Sequence, residues 1–501
     1  MASSTGLTYI AGSSFWTAPG RSNLAPGSPP AATTPKFRWN GSRAFGTAIV
    51  TPTTPGDWSD SNPPWAYTDP SVFTATWPAG TPIVPIQTGS SDFYTNLANT
   101  VAAAGRRVVV DIRNGGVKTV YHLNSFRPIG TSGDILYAFG FWFPNLQGLL
   151  GDGPDITFIQ MDANSLTSAQ ITKMGTSPYA TSQFNALQTG FCRFDGTNPS
   201  SPVLLAGITF RSDDQPNITS VQPDVPIFIP QPAPHQGVTL FYNTYYDIGY
   251  CRFQAAGRAM TSQPSFEMAN LTSAQSHGVI HNTEFDGRIS PELNPRQPRR
   301  CGPLMGNNEG DHELIDVWLH HSNVSRYAIN DQNANTTGTY VVTRTKAEFI
   351  TNNQNTDPAL NNGQSLGGWT NASAFGWESC NGTITVTDAF VTINNASVSG
   401  SFPAHFQLTT VGTRNPQGGR MHIKGGTFHH TAFSQLDGFI TFRIATNTFW
   451  WSDGVGTTLD VRRSDNTPLT GWNFTGTWPP TAAQIAAAGI SPNTHYIYKG
   501  V

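Results

Sequence analysis

The sequence predicts an all-β fold, a parallel β-helix (solenoid) with an N-terminal capping helix and an extended Pro/Gly/Ser/Thr-rich N-terminal arm. Three observations predict it. Charged residues make up 12% of the 501 residues, against ~25% in ordinary globular chains, while Gly (49) and Pro (37) are abundant. Short β-prone segments closing on an aromatic or bulky apolar residue recur from Ala206 to Phe428. One amphipathic helical pattern, Asp92 to Ala104, leads into the first β-branched run. Hydrophobic residues at 38% and aromatics at 11% supply the apolar surface that a disordered tract lacks.

Taken in order, residues 1–90 read as an arm. Their Pro density argues against central strands, yet Phe37, Trp39, Trp58, Trp65 and Trp77 are more aromatic than a linker carries. Such an arm is expected to order against its own body or a neighbouring subunit, as an anchoring arm or as a simple N-terminal extension. From Asp92 to Ala104, Phe93, Leu97 and Val101 recur every fourth residue, Asp92 stands at the N-cap and Gly105 supplies the stop. The β-branched run Arg107 to Ile112 follows directly, so the helix is placed to cover the first coil of a solenoid.

The recurring segments are Ala206 to Phe210, Gly249 to Phe253, His281 to Phe285, Ile315 to Leu319, Thr345 to Phe349, Val386 to Phe390 and Gly425 to Phe428. With Phe253, Phe285, Trp318 and Phe349 taken as equivalent, the intervals are 32, 33 and 31 residues (285−253, 318−285, 349−318). Helical repeats share that period but need helix formers, and these units are rich in Thr, Val and Asn. Each coil alternates apolar residues inward and stacks on its neighbours to bury them. The Asn pairs at 352–353, 361–362 and 394–395 suit sharp left-handed corners. Residues 91–435 form the solenoid on this reading. Residues 436–501, with a short helical pattern at Ala482 to Ala488, form a C-terminal cap or small β appendage.

A formal net charge of −3 gives no footprint for nucleic acid. Cys192, Cys251, Cys301 and Cys380 are too far apart for zinc or redox motifs and read as buried thiols. The N-terminus shows no signal-peptide pattern, and no apolar run reaches the ~18 residues of a membrane span.

Further resemblance comes from quoted stretches. LLGDGPD (Leu149 to Asp155) followed by ITFIQM (Ile156 to Met161) resembles the early coils of pectate-lyase-like proteins. GFCRFDG (from Gly190), PQPAPHQGV (from Pro230), RAMTSQPSFEMANLT (from Arg258), PRRCGPLMGNNE (from Pro298), LHHSNVSRYAIN (from Leu319) and RNPQGGRM (from Arg414) resemble minor tail proteins of siphoviruses infecting actinobacteria. The resemblance spans roughly Asp92 to Trp451. It implies a right-handed parallel β-helix in the virion tail, acting outside the host cell, with other tail proteins and a host cell-surface glycan as partners. A homotrimer is the assembly common among solenoid fibres. The resemblance is architectural and carries over no catalytic residue.

Candidate chemistry has to be found among the outward residues. If Phe253 and Phe285 point inward, stacking sets Arg252 beside Glu284 and Gln254 beside Asp286. Glu284 with Asp286 then has the two-carboxylate pattern of glycosidic cleavage, or forms part of a structural Arg-to-Glu ladder. Glu309 and Asp311 share parity with Asn307 and Glu313. They are a second candidate acid pair, or oxygen ligands for Ca²⁺, or solvated loop charges around Gly310. No cofactor is otherwise indicated. Adjacent histidines at 320–321 and 429–430 point to opposite faces and make poor metal pairs. Tyr245, Tyr246, Trp369, Trp377 and Trp450 are the candidate platforms for sugar rings. The sequence thus supports a glycan-binding tail protein, with a glycan hydrolase or lyase, or a purely architectural tail part, as alternatives.

Overall fold

The computed structural model describes residues 7–9, 37–39, 55–59, 63, 70–124, 127–132, 135–161, 187–195, 201–212, 236–241, 245–254, 258–261, 277–286, 303–305, 311–322, 327–331, 339–350, 373–378, 383–394, 404–409, 420–424, 426–430, 439–444, 458–462 and 495–499. These residues form an all-β, parallel, solenoid-like fold with one α-helix among them. No helix among them is long and apolar enough to cross a membrane.

Each circuit visits three parallel stacks in turn. Gln236–Phe241 lies in stack III, Tyr245–Gly249 in stack I and Arg252–Gln254 in stack II, after which Arg258–Thr261 re-enters stack III. The long strands His277–Asp286 and Asp311–Ser322 each serve stack I with their first half and stack II with their second. Alternation supplies the core. In stack I, Leu149, Leu205, Ile248, Ile280, Leu314 and Val342 pair in succession, all fully buried. In stack II the inward rings of Phe210, Phe253 and Phe285 lie 5.4 and 5.1 Å apart at 5° and 17°, an apolar ladder through three coils.

After two coils that cross through residues 112–118 and 151–156, one residue per circuit from Ala206 to Phe390 makes the corner between stacks I and II. Gly207, Tyr250, Asn282, Asp316, Arg344 and Asp388 occupy it in succession, with φ of 71°, 54°, 45°, 55°, 49° and 51°. A left-handed residue interrupts the alternation, so Ile280 before the corner and Thr283 after it are both fully buried. Gly, Asn and Asp take that conformation readily; Tyr and Arg need support. Tyr250 is fully buried, its ring 5.1 Å from Phe73 and 5.4 Å from His281. Arg344 forks onto Asp316 through two 2.7 Å bonds.

This corner corrects the equivalence drawn from sequence. Phe253 does pair with Phe285, but the next partners are Leu319 and Ala347 rather than Trp318 and Phe349, giving intervals of 32, 34 and 28 residues (285−253, 319−285, 347−319). The repeating feature is the corner, and the residue closing the segment is free to vary. Of the expected Asn corners, Asn394 ends the strand Phe390–Asn394, and the other five residues lie outside the described ones.

The helix Phe93–Ala104 forms as expected. Asp92 accepts from Thr95 N at 3.0 Å, and Gly105 closes it in the left-handed conformation. That bond and a second from the Thr95 hydroxyl hold the Asp92 carboxyl below its usual range, against partial burial that works the other way. Phe93, Leu97 and Val101 are buried, and the Phe93 ring meets Tyr121 of the first stack II strand and Phe141 of stack III. Antiparallel strands close stack III at both ends: Arg127–Ser132 on Ile135–Trp142, and His495–Lys499 on Phe439–Ile444. Stacks III and I continue through Phe439–Ile444 and Thr458–Arg462, beyond the boundary at residue 435. Ala482 to Ala488 lies outside the described residues.

The arm orders against its own body. Val72, Phe73 and Trp77 bury themselves on the outward residues Val109, Leu150, Leu204 and Ala206 of stack I. Gly56 lies against the Phe390 ring, and Lys346 Nζ donates to Trp58 O at 2.6 Å. Ile83–Pro85 then pairs parallel with Val108–Asp111 and extends stack I by one strand.

Candidate functional site: the outer face of stack II

Outward positions of stack II run in two columns. Thr209, Arg252, Glu284, Trp318, Lys346 and Phe390 are in register along one. Arg211, Gln254, Asp286 and His320 follow along the other. The pairings expected from sequence, Arg252 with Glu284 and Gln254 with Asp286, are both present.

Glu284 is the centre. Its side chain is 2% exposed, and it accepts from Arg252 Nε at 2.6 Å through Oε2 while His320 Nε2 lies 2.5 Å from Oε1. The guanidinium also reaches the exposed Asp155 at 2.9 Å. Burial opposes the Arg252 cation, but Glu284 and Asp155 outweigh it and raise its pKa. Further along, the Trp318 and His320 rings stack at 3.7 Å and 10°, Trp318 Nε1 donates to Glu348 at 2.8 Å, and Lys346 Nζ lies 3.0 Å from Glu348. Asp155, Arg252, Glu284, His320, Trp318, Glu348 and Lys346 thus form one connected chain crossing several coils.

Chemically this is a ladder of satisfied groups. Both Glu284 oxygens are engaged by neighbouring coils, so a substrate atom would have to displace Arg252 or His320 to reach them. A glycosidic acid and its partner instead flank an open cleft. Asp286 is in register with Gln254 and His320. Asp311 begins the strand Asp311–Ser322 and pairs with Thr339 in stack I, so Glu284/Asp286 and Asp311 stand on opposite sides of the corner. Glu313 is 8% exposed in the outward stack I column that also holds Asp247 and Val279. Glu309 lies outside the described residues. Among the described residues no cluster of three or more His, Cys, Asp or Glu is placed to hold a metal ion.

The aromatic candidates divide similarly. Tyr246 is fully buried, because alternation turns it inward opposite to Asp247, and its hydroxyl lies 2.5 Å from His312 Nδ1. It reaches that histidine across Gly278, where a Cβ would come within 2.7 Å of the ring. Tyr245 is 8% exposed. Burial raises both phenol pKa values. These two rings are taken up by packing and offer no outward platform. Trp377 sits in the stack III strand Ser373–Glu378, in register with Asp331 and Leu408. Trp369 and Trp450 lie outside the described residues.

Sequence reasoning missed a second polar cluster, on the outer face of stack I. Asp247, fully buried, accepts from Thr76 Oγ1 of the arm at 2.7 Å and lies 2.9 Å from His281 Nε2. Stacking Gly249 to Phe253 on His281 to Phe285 places Asp247 and His281 on one face; nothing in that pattern pointed to Thr76. No protein-family model matches the chain, and no curated protein matches it.

Proposed function

We propose that the chain is a structural protein of a bacteriophage tail whose right-handed parallel β-helix presents a rigid surface to a host cell-envelope glycan. The stretches resembling siphovirus minor tail proteins support the viral assignment. The right-handed sense follows the strong bias of parallel crossovers. The N-terminal arm, residues 1–90, is assigned to virion attachment through contacts with other tail proteins, and a homotrimer is one assembly it could serve.

One observation favours an adhesive role over depolymerisation: Glu284, the best-placed candidate acid, is buried with both oxygens committed to Arg252 and His320. A rigid scaffold is what a binding surface needs, since ordering costs are met before the ligand arrives. Purified protein is expected to be retained on host cells and on isolated envelope polysaccharide without releasing new reducing ends or unsaturated sugars. Release that disappears in Glu284→Gln or Asp311→Asn would overturn the adhesive reading in favour of a hydrolase or lyase. Absence of retention would leave an architectural tail part.

A further inference from the structure

We propose that the Thr76–Asp247–His281 cluster is a register lock, which admits the N-terminal arm at one coil of the solenoid and no other. The need for a lock follows from the architecture. Neighbouring strands of a stack repeat every ~4.8 Å with similar outer faces, and apolar contact carries little directional preference. Val72, Phe73 and Trp77 dock on Val109, Leu150, Leu204 and Ala206. In the column facing Thr76, Asp247 stands between Leu204 on the preceding coil and Val279 on the next. An arm displaced by one coil in either direction would therefore set the Thr76 hydroxyl against an aliphatic side chain. Asp247 would lose that donor at the same time.

The carboxylate is built to register the difference. It is fully buried, with His281 Nε2 2.9 Å from Oδ1 and Thr76 Oγ1 2.7 Å from Oδ2. The imidazole is held in place from two sides: Nδ1 lies 3.2 Å from Oδ1 of the corner residue Asn282, and the ring lies over Gly249, where a Cβ would come within 2.1 Å of Cε1. Two successive coils thus fix one oxygen of Asp247, and the arm alone supplies the Thr76 donor to the other. An all-apolar docking face would be at least as stable but would accept several registers. A buried donor lost on slipping shifts the preference by about tenfold or more.

The test uses the full chain with 6-fluorotryptophan incorporated, the Trp77 signal being assigned by Trp77→Phe. Trp77 is 3% exposed and adjoins Thr76, so its ring reports where the arm sits. Wild type and Thr76→Ser, which keeps the hydroxyl, are expected to give one Trp77 signal. Thr76→Val is expected to split it, the second signal carrying about a tenth of the intensity or more. Since Thr76→Val leaves a carboxylate short of a donor, the paired variant Thr76→Val/Asp247→Asn, whose neutral amide can still pair with His281, guards against simple unfolding. It is expected to remain folded and still show several Trp77 signals. A single Trp77 signal in that folded double variant would overturn the proposal.

Discussion

Stacks I and II each bury a carboxylate on their outer face against a histidine from the next coil, yet the two sites are completed from different distances. Glu284 receives Arg252, 32 residues away on the preceding coil, whereas Asp247 receives Thr76, 171 residues upstream. The stack II ladder can therefore form as each coil is laid on the last. The stack I cluster waits for the arm to return, and closing a longer loop costs more entropy. Coil stacking and arm docking are thus separable events. The shaft provides its own polar order on one face and borrows it from the arm on the other.

That contrast can be broken most directly at Arg252. Arg252→Ala leaves the Glu284 carboxylate buried without its guanidinium, and urea unfolding is expected to show a loss of about 3–5 kcal/mol, most of it recovered in Arg252→Met/Glu284→Gln, whose neutral amide can still pair with His320. A loss below about 1 kcal/mol would mean that the ladder behaves as a solvated surface pair. On the stack I side, Phe73→Ala is expected to cost about 3 kcal/mol and to make residues 55–77 susceptible to protease while the shaft remains resistant. Simultaneous digestion of both would show that arm and shaft are one cooperative unit.

The corner between the stacks offers a smaller test. Arg344→Gly relieves a left-handed residue but removes the forked partner of the fully buried Asp316 carboxylate, a net loss of about 2 kcal/mol in urea unfolding. Arg344→Val, β-branched in the same conformation, is expected to lose about 1 kcal/mol more.

The smallest effect at neutral pH concerns the buried thiols. Burial raises the Cys192 pKa well above its usual value and pushes Cys251 up to about 12, against the help of backbone bonds from Ile208 and Gly207. The folded state keeps these protons that the unfolded chain releases near pH 9. Their contribution to stability is therefore complete below about pH 9 and is lost as pH rises toward 12. Neither thiol is expected to react with a disulfide reagent at pH 8 until the protein unfolds, and the urea midpoint is expected to fall across that alkaline window.

Much of the fold was legible because it is local. The helix with its Asp92 and Gly105 caps, the strand after it, and the pairing of Arg252 with Glu284 all follow from patterns within one or two coils. The segments from Ala206, Gly249, His281 and Ile315 were found in correct mutual alignment. Their meaning was misread, since they straddle a corner, and Trp318 stood in for Leu319 because a large ring looks like core. The outer-face sites were harder. An alternation pattern distinguishes in from out but not which outward residues are covered, so the burial of Glu284 and the return of Thr76 to Asp247 had no signal in the chain.

The corner that takes one left-handed residue has a consequence for how such a shaft can diverge. Between Ala206 and Thr209, Gly249 and Arg252, His281 and Glu284, Ile315 and Trp318, Thr343 and Lys346, and Thr387 and Phe390, the chain always spends two residues. The passage from stack II to stack III is as short as residues 255–257 and as long as 162–186. From Ala206 onward, insertions and deletions are admitted at that passage and refused at the fixed corner, whereas the first two coils cross from stack I to stack II through residues 112–118 and 151–156. New sequence can therefore accumulate along one flank of the shaft, generation after generation, without any coil losing its place on the one below.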